Sequence, residues 1–221
     1  MKKQLSVLLL ALLPAFFVTA NAQETKADVQ PMKPDFYNFE SLQKGARLFI
    51  DNCMGCHTLE HQRYARMAED LGFSQEVTEQ ELILSPELAF NDQMRIAMPK
   101  ADAEVWFGTA PPDLSLMTRI QSPEYVYNFL RNFYADDSKP WGVNNHVFPD
   151  VGMPNVLDGL QKSLSKQDFD QLAYDITNFL TYVAEPTRYQ ADRLGPRVLI
   201  FIAIFFVLSY FLYKEFWRDV K

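Results

Sequence analysis

Cys53-Met54-Gly55-Cys56-His57 decides how this 221-residue chain is read. Cys-x-x-Cys-His is the pattern through which haem is attached covalently. The two thiols form thioethers to the haem vinyl groups, and the adjacent histidine reaches the iron as proximal ligand. The sequence holds only 2 cysteines, so the motif accounts for both and implies one haem c. A single haem points to one-electron transfer. Other uses of the pattern fit the context poorly. A thioredoxin-like pair precedes a helix in a βαβ setting, whereas here a helix-like stretch comes before the cysteines. A zinc site needs further ligands at finger-length spacing, but His57 and His61 abut Cys56. A plain disulfide needs no histidine after it.

The ends of the chain locate the motif in the cell. Lys2 and Lys3, the apolar run from Leu5 to Val18 and the small-residue site Ala20-Asn21-Ala22 have the order of a cleavable secretory signal over residues 1–22. The mature chain is then expected to start at Gln23. Export fits the motif, because c-type haem is attached outside the bacterial cytoplasm. Near the other end, Val198 to Tyr213 is a run of 16 residues without a charge. About 20 residues cross a hydrocarbon core of ~30 Å, and Arg197 and Lys214 can snorkel at its edges. A transmembrane helix is expected over 194–214, with 215–221 as a tail. Lys214, Arg218 and Lys221 place that tail in the cytoplasm. The haem domain, 23–193, then faces the periplasm from a bacterial inner membrane.

Residues 23–196 hold 15 Lys and Arg against 26 Asp and Glu, a formal charge of −11. That balance argues against nucleic acid and suits attraction of a basic soluble partner. Gln23 to Phe36, with Pro31 and Pro34, reads as an extended arm. Ser41 to Asn52 reads as a helix, because Leu42, Ala46, Phe49, Ile50 and Cys53 recur at helical spacing; its apolar face is expected against the haem. Ser122 and Pro123 open a second helix, expected to reach Tyr134. Ser165 and Asp168 form a capping-box-like start to a third, Lys166 to Ala184, which Pro186 ends. No clear β-hairpin pattern appears. The expected fold is mostly α: a cytochrome c-like haem domain with long loops plus one C-terminal transmembrane helix.

The sixth position on the iron is open to His61, Met67, Met94, Met98, Met117, His146 and Met153. His61 and Met67 are poor choices, since the ligand must arrive from the opposite haem face. Met98-Pro99 and Met153-Pro154 each combine methionine with a stiffening proline. Loop chemistry favours Met153 modestly, in Pro149-Asp150-Val151-Gly152-Met153-Pro154-Asn155.

The chain resembles the cytochrome c1 family, the haem subunits of the cytochrome bc1 complex. Leu42 to Phe49 leading into the haem motif, Pro111-Pro112-Asp113-Leu114-Ser115 followed by Arg119, Gly152-Met153-Pro154, and Ala184-Glu185-Pro186 with Arg188 and Arg193 before a single C-terminal span carry the resemblance. It departs in being compact between His57 and Pro111. The resemblance implies Met153 as sixth ligand, Arg119 on a haem propionate, and Pro111 and Pro112 as walls of the haem pocket. It also implies cytochrome b, a Rieske iron–sulfur protein and cytochrome c as partners in a dimeric complex, with lipid around the anchor. This subunit would carry electrons within a ubiquinol–cytochrome c oxidoreductase. Two other readings are another membrane-tethered c-type cytochrome, and a haem sensor or peroxidase-like enzyme.

Overall fold

The structure is a computed structural model and describes residues 27–220; the expected signal segment lies outside the described residues. In chain order the elements are α1 (Phe39–Asn52), β1 (Leu59–Arg63), α2 (Tyr64–Leu71), α3 (Gln75–Val77) running into a π-helical turn (Thr78–Leu82), β2 (Gln93–Met94), α4 (Lys100–Phe107), α5 (Met117–Ile120), α6 (Pro123–Arg131), β3 (Phe133–Ala135), β4 (Val143–Asn145), α7 (Asp158–Ser163), α8 (Lys166–Ala184) and α9 (Arg188–Phe216). Helices dominate, as the periodicity predicts.

The core forms where α1 crosses α8. Leu42, Ala46, Phe49 and Ile50 of α1 are buried, as are Phe169, Leu172, Ala173, Ile176, Leu180 and Val183 of α8. The rings of Phe49 and Phe179 lie 5.9 Å apart at their centroids. Each such fully buried side chain contributes on the order of 2 kcal/mol. Gly45 sets the closeness of the crossing: a Cβ there would lie 2.0 Å from the Asp175 carbonyl oxygen. The backbones meet at that point only because glycine has no side chain. The apolar stripe of α1 is thus satisfied by α8. Around the crossing, Asp175 accepts from Ser41 Oγ at 2.6 Å and from Gln171 Nε2 at 2.9 Å, so its buried carboxylate is hydrogen-bonded.

Helix starts follow their caps. Asn38 accepts from the Ser41 N–H (3.1 Å), Ser122 from the Tyr125 N–H (3.2 Å) and Ser165 from the Asp168 N–H (3.1 Å). Three features differ from the sequence expectation. α6 ends at Arg131, because Phe133–Ala135 is a strand rather than more helix. That strand pairs antiparallel with Val143–Asn145, and β1 pairs with β2, so two short sheets exist where no hairpin was expected. Strands of 2 to 5 residues are too short to print an alternation in the sequence. The last helix begins at Arg188, ahead of the apolar run, because Thr187 and the polar residues after it continue the same ladder.

Of the arm expected over 23–36, the described residues up to Asp35 form neither helix nor strand and are pinned by side chains. Asn128 donates Nδ2 to the Gln30 carbonyl and accepts the Gln30 N–H, both at 2.8 Å. Asn132 makes the same exchange with Asp28 at 2.7 and 3.2 Å. Two asparagines spaced four apart on α6 and its C-cap therefore replace a neighbouring strand.

α9 is 29 residues of helix, about 43 Å long at the usual rise, and has no buried residue. It is long and apolar enough to cross a membrane.

Candidate haem site

α1 delivers the motif. The Cys53 N–H still bonds to Phe49 O (2.8 Å), and the Cys56 and His57 N–H groups both donate to the Cys53 carbonyl (3.1 and 2.9 Å). The chain winds into one tight turn that holds two free, unbridged cysteines. Cys53 is buried and Cys56 half-buried. Burial, with a smaller contribution from Cys56, pushes the Cys53 thiol up to about 12. The Tyr64 hydroxyl donates to the Met54 sulfur at 3.5 Å and anchors the turn from the α2 side.

His57 is buried, and its Nδ1 lies 2.8 Å from the Pro112 carbonyl oxygen. A carbonyl only accepts, so Nδ1 carries the proton and Nε2 keeps its lone pair. Burial lowers the imidazole pKa, outweighing the Pro112 hydrogen bond and the Asp113 charge that favour protonation. A neutral ring oriented through its second nitrogen is what a metal-ligating histidine requires. With two thiols in the same turn, the donor set fits a covalently attached haem.

The Pro111–Ser115 segment is stitched beside the motif. Asp113 is the clasp: Oδ2 accepts from Thr58 Oγ1 and from the Glu60 N–H, both at 2.7 Å, and Oδ1 accepts from the Ser115 N–H at 2.9 Å. The Leu114 N–H donates to Thr58 O (3.0 Å), and the His61 N–H to Ser115 Oγ (3.1 Å). Burial raises the Asp113 pKa, but hydrogen bonds from the Glu60 N–H and the Ser115 and Thr58 hydroxyls outweigh it and hold the carboxyl below its ordinary value. Sequence reasoning passed over Asp113. Its one local signal is the Asp-x-Ser spacing of an Asx turn.

The ligand candidates now separate. Met67 and Met94 are fully buried in the apolar core. His61 is exposed. His146 stacks on Tyr134 with ring centroids 4.1 Å apart. Met98, Met117 and Met153 are half-buried. Met153 sits in the loop between β4 and α7, which a pair of buried asparagines shapes. Asn145 accepts from the Val147 and Phe148 N–H groups (2.8 and 3.2 Å), and Asn144 from the Asp150 N–H (2.9 Å). Arg119 lies at the end of α5, exposed, with Glu185 as an ion-pair partner at 3.9 Å. Pro111 is half-buried and Pro112 exposed, and it is the Pro112 carbonyl that touches His57.

The Cytochrome C1 family model matches residues 32–220. A cytochrome c1 of Allochromatium vinosum is 38% identical over all of both chains. A protein of Nitrosomonas europaea named ammonia monooxygenase gamma subunit is 36% identical over 99% of each. A chain of a solved hyperthermophilic respiratory Complex III superposes with a TM-score of 0.48 at 20% identity, covering 90% of this chain and 84% of that one. With the family model covering nearly the whole described chain and a full-length relative at this identity, the chain belongs to the cytochrome c1 family, carries a covalently bound haem c and is an electron-transfer subunit of the cytochrome bc1 complex.

Proposed function

We propose that Cys53 and Cys56 attach the haem, that His57 and Met153 are its axial ligands, and that the subunit passes electrons from a Rieske iron–sulfur protein to a cytochrome c. The observation that carries this reading is the His57 ring, buried and fixed through Nδ1 by Pro112 in the same turn as two unbridged cysteines. The bound haem supplies a one-electron redox couple, which His/Met ligation sets to a higher potential than bis-histidine ligation. The protein's own residues do the rest. Pro112 orients His57, Asp113 locks the Pro111–Ser115 segment onto Thr58 and Glu60, and Asn144 and Asn145 shape the loop bearing Met153. Pro111 and Pro112 wall the pocket. Arg119, exposed and only loosely held by Glu185, is available to a propionate through a bidentate charge-assisted pair.

The helix α9 anchors the subunit beside cytochrome b in lipid. In this reading the haem domain lies in the periplasm, the tail in the cytoplasm of an inner-membrane protein, and the complex is a dimer. Detergent purification of the full complex, with haem spectra and a quinol–cytochrome c reductase assay, tests the reading. Cytochrome b and a Rieske protein are expected to co-purify. Co-purification with monooxygenase subunits instead would favour the function for which the 36% identical relative is named. For the ligand, Met153→Leu is expected to lower the reduction potential and open the iron to carbon monoxide. An unchanged potential in that variant removes Met153 from the ligand set.

A further inference from the structure

Arginine collects where the chain enters its apolar run. Residues 23–187 hold 13 Lys and Arg against 25 Asp and Glu, a formal charge of −12. Residues 188–197 reverse the sign, with Arg188, Arg193 and Arg197 against Asp192 alone. Arg188 is engaged within the fold: it pairs with Glu185 at 3.6 Å and with Asp192 at 3.1 Å. Arg193 and Arg197 are exposed, and among the described residues neither makes an ion pair. Both share one face of α9 with Tyr189, each four residues after the last. The Arg193 guanidinium lies 5.7 Å from the centroid of the Tyr189 ring, a cation–π contact. Tyr189 in turn packs on Tyr37 and Phe39, so this face is tied to the haem domain.

The length of the apolar run fixes the depth of these arginines. Its 16 residues rise about 24 Å as helix, about 6 Å short of a ~30 Å hydrocarbon core. The cations at both edges must therefore reach out of the hydrocarbon along their side chains. Helical side chains lean toward the N-terminus of their helix. At the domain-side edge that lean carries the Arg197 guanidinium away from the hydrocarbon and up toward Arg193. At the far edge it turns Lys214 inward, where its Nζ lies 5.7 Å from the centroid of the Tyr210 ring, one turn back. Arg197 thus comes to rest at the level of lipid phosphates, with Arg193 about 6 Å above it. A guanidinium without a carboxylate partner at that depth meets its anion in the bilayer, and a phosphate diester accepts two parallel N–H bonds from it.

We propose that Arg193 and Arg197, backed by Tyr189, bind the phosphate of an anionic glycerophospholipid in the leaflet on the haem-domain side. The proposal rests on the reading of α9 as a membrane anchor and adds a lipid site to it. Arg197 takes the phosphate at the leaflet surface. Arg193 supplies a second positive charge, which favours a headgroup of net negative charge over a zwitterionic one whose ammonium it repels. The acyl chains lie along the uncharged turns below. An anionic membrane surface repels the acidic remainder of the domain, so this pair sets where the domain meets the bilayer. Through Tyr189, Tyr37 and Phe39 the bound lipid also fixes the height of the domain above it.

The test uses the full haem-loaded chain in phosphatidylcholine vesicles, with spin-labelled phosphatidylglycerol and spin-labelled phosphatidylcholine as probes of the lipid held at the protein surface. Phosphatidylglycerol is expected to be preferred about tenfold, as two cations near a leaflet surface allow. Arg193→Gln with Arg197→Gln is expected to bring the preference close to one, with the haem spectrum and flotation with vesicles unchanged. Arg193→Lys with Arg197→Lys is expected to keep part of the preference, since an ammonium supplies charge without the bidentate geometry. Inorganic phosphate is expected to displace no more label than chloride at equal ionic strength; greater displacement would make this a site for free phosphate and overturns the proposal. Equal affinity for the two labels in the native chain also overturns it. So does a preference that survives in the double glutamine variant but vanishes in Lys214→Gln with Arg218→Gln, because the lipid would then sit at the other leaflet. The purified complex is expected to show the same difference between native and variant; its absence there would mean that another subunit covers the two arginines, and overturns the proposal for the assembled protein. A native chain that fails to float with vesicles overturns the anchor reading itself, whereas flotation without preference overturns the lipid site alone.

Discussion

Gly45 and Asp113 show how single residues hold the haem segment in place. A Cβ at Gly45 would stand 2.0 Å from Asp175 O and 2.8 Å from the Cβ of Phe179, and the first of these is backbone that cannot swing aside. Gly45→Ala must therefore push α1 away from α8, the contact from which the haem turn is hung. A loss of more than about 3 kcal/mol is expected, beyond ordinary overpacking, read as a lowered unfolding temperature of the haem-loaded protein. Gly159→Ala is the control: the site is open and helical, and the change is expected to be neutral or stabilising by up to about 1 kcal/mol. Asp113 acts through charge. Its folded carboxyl titrates below its ordinary value of 3.8, so its contribution to stability is complete above that value and is lost as the pH falls through the lower folded pKa. Asp113→Asn is expected to destabilise at neutral pH and to loosen exchange of the Glu60 and Ser115 amides. The gap between variant and native protein should begin to narrow below about pH 4 and close once the folded carboxyl is protonated. A gap independent of pH would assign the role of Asp113 to shape rather than charge.

At the scale of elements, what the sequence displays is what repeats. α1, α6 and α8 each carry an apolar stripe and a capping side chain, and each starts within two residues of its expected position. The haem turn is legible because covalent attachment demands fixed residue types at fixed spacing. The strands, the clasp at Asp113 and the arm contacts are not, because each depends on partners distant in sequence. Arg131 is the clearest case. In sequence it is one more charged residue inside an expected helix. In the fold its side chain is 2% exposed, bonds Asp170 at 2.5 Å and Asp28 at 3.2 Å, and lies 4.7 Å over the Tyr127 ring. It joins the arm, α6 and α8. Arg131→Ala is expected to cost about 2 kcal/mol, less than a fully buried pair because both carboxylates keep some solvent. It should also make residues 27–36 the first site of limited proteolysis. An arm that stays protected in this variant would show that Asn128 and Asn132 suffice to hold it.

On the scale of the whole molecule, the haem domain and the anchor are nearly separate. α9 contributes no buried residue, and its ties to the domain are peripheral. Tyr189 packs against Tyr37 and Phe39 at centroid distances of 5.3 and 6.0 Å, the Tyr37 hydroxyl reaches Asp192 at 3.4 Å, and Arg188 pairs with Glu185 at 3.6 Å. All of these precede Pro196, the residue whose missing N–H leaves the Asp192 carbonyl without its helical donor. The polar first turns of α9 thus belong with the domain, and the uncharged run after them belongs with lipid. A chain ending at Gly195 keeps every one of these contacts and the whole α1–α8 core. It is expected to be soluble and haem-loaded, with an unfolding free energy within about 0.5 kcal/mol of the full chain, as for changes remote from the core. It should still exchange electrons with a soluble cytochrome, yet cells carrying only this form should lose quinol-driven reductase activity, because nothing then holds the haem near the quinol site. Aggregation or loss of haem in the truncated chain would mean that α9 is part of the fold. Retained quinol oxidation would mean that the domain docks on its complex without an anchor.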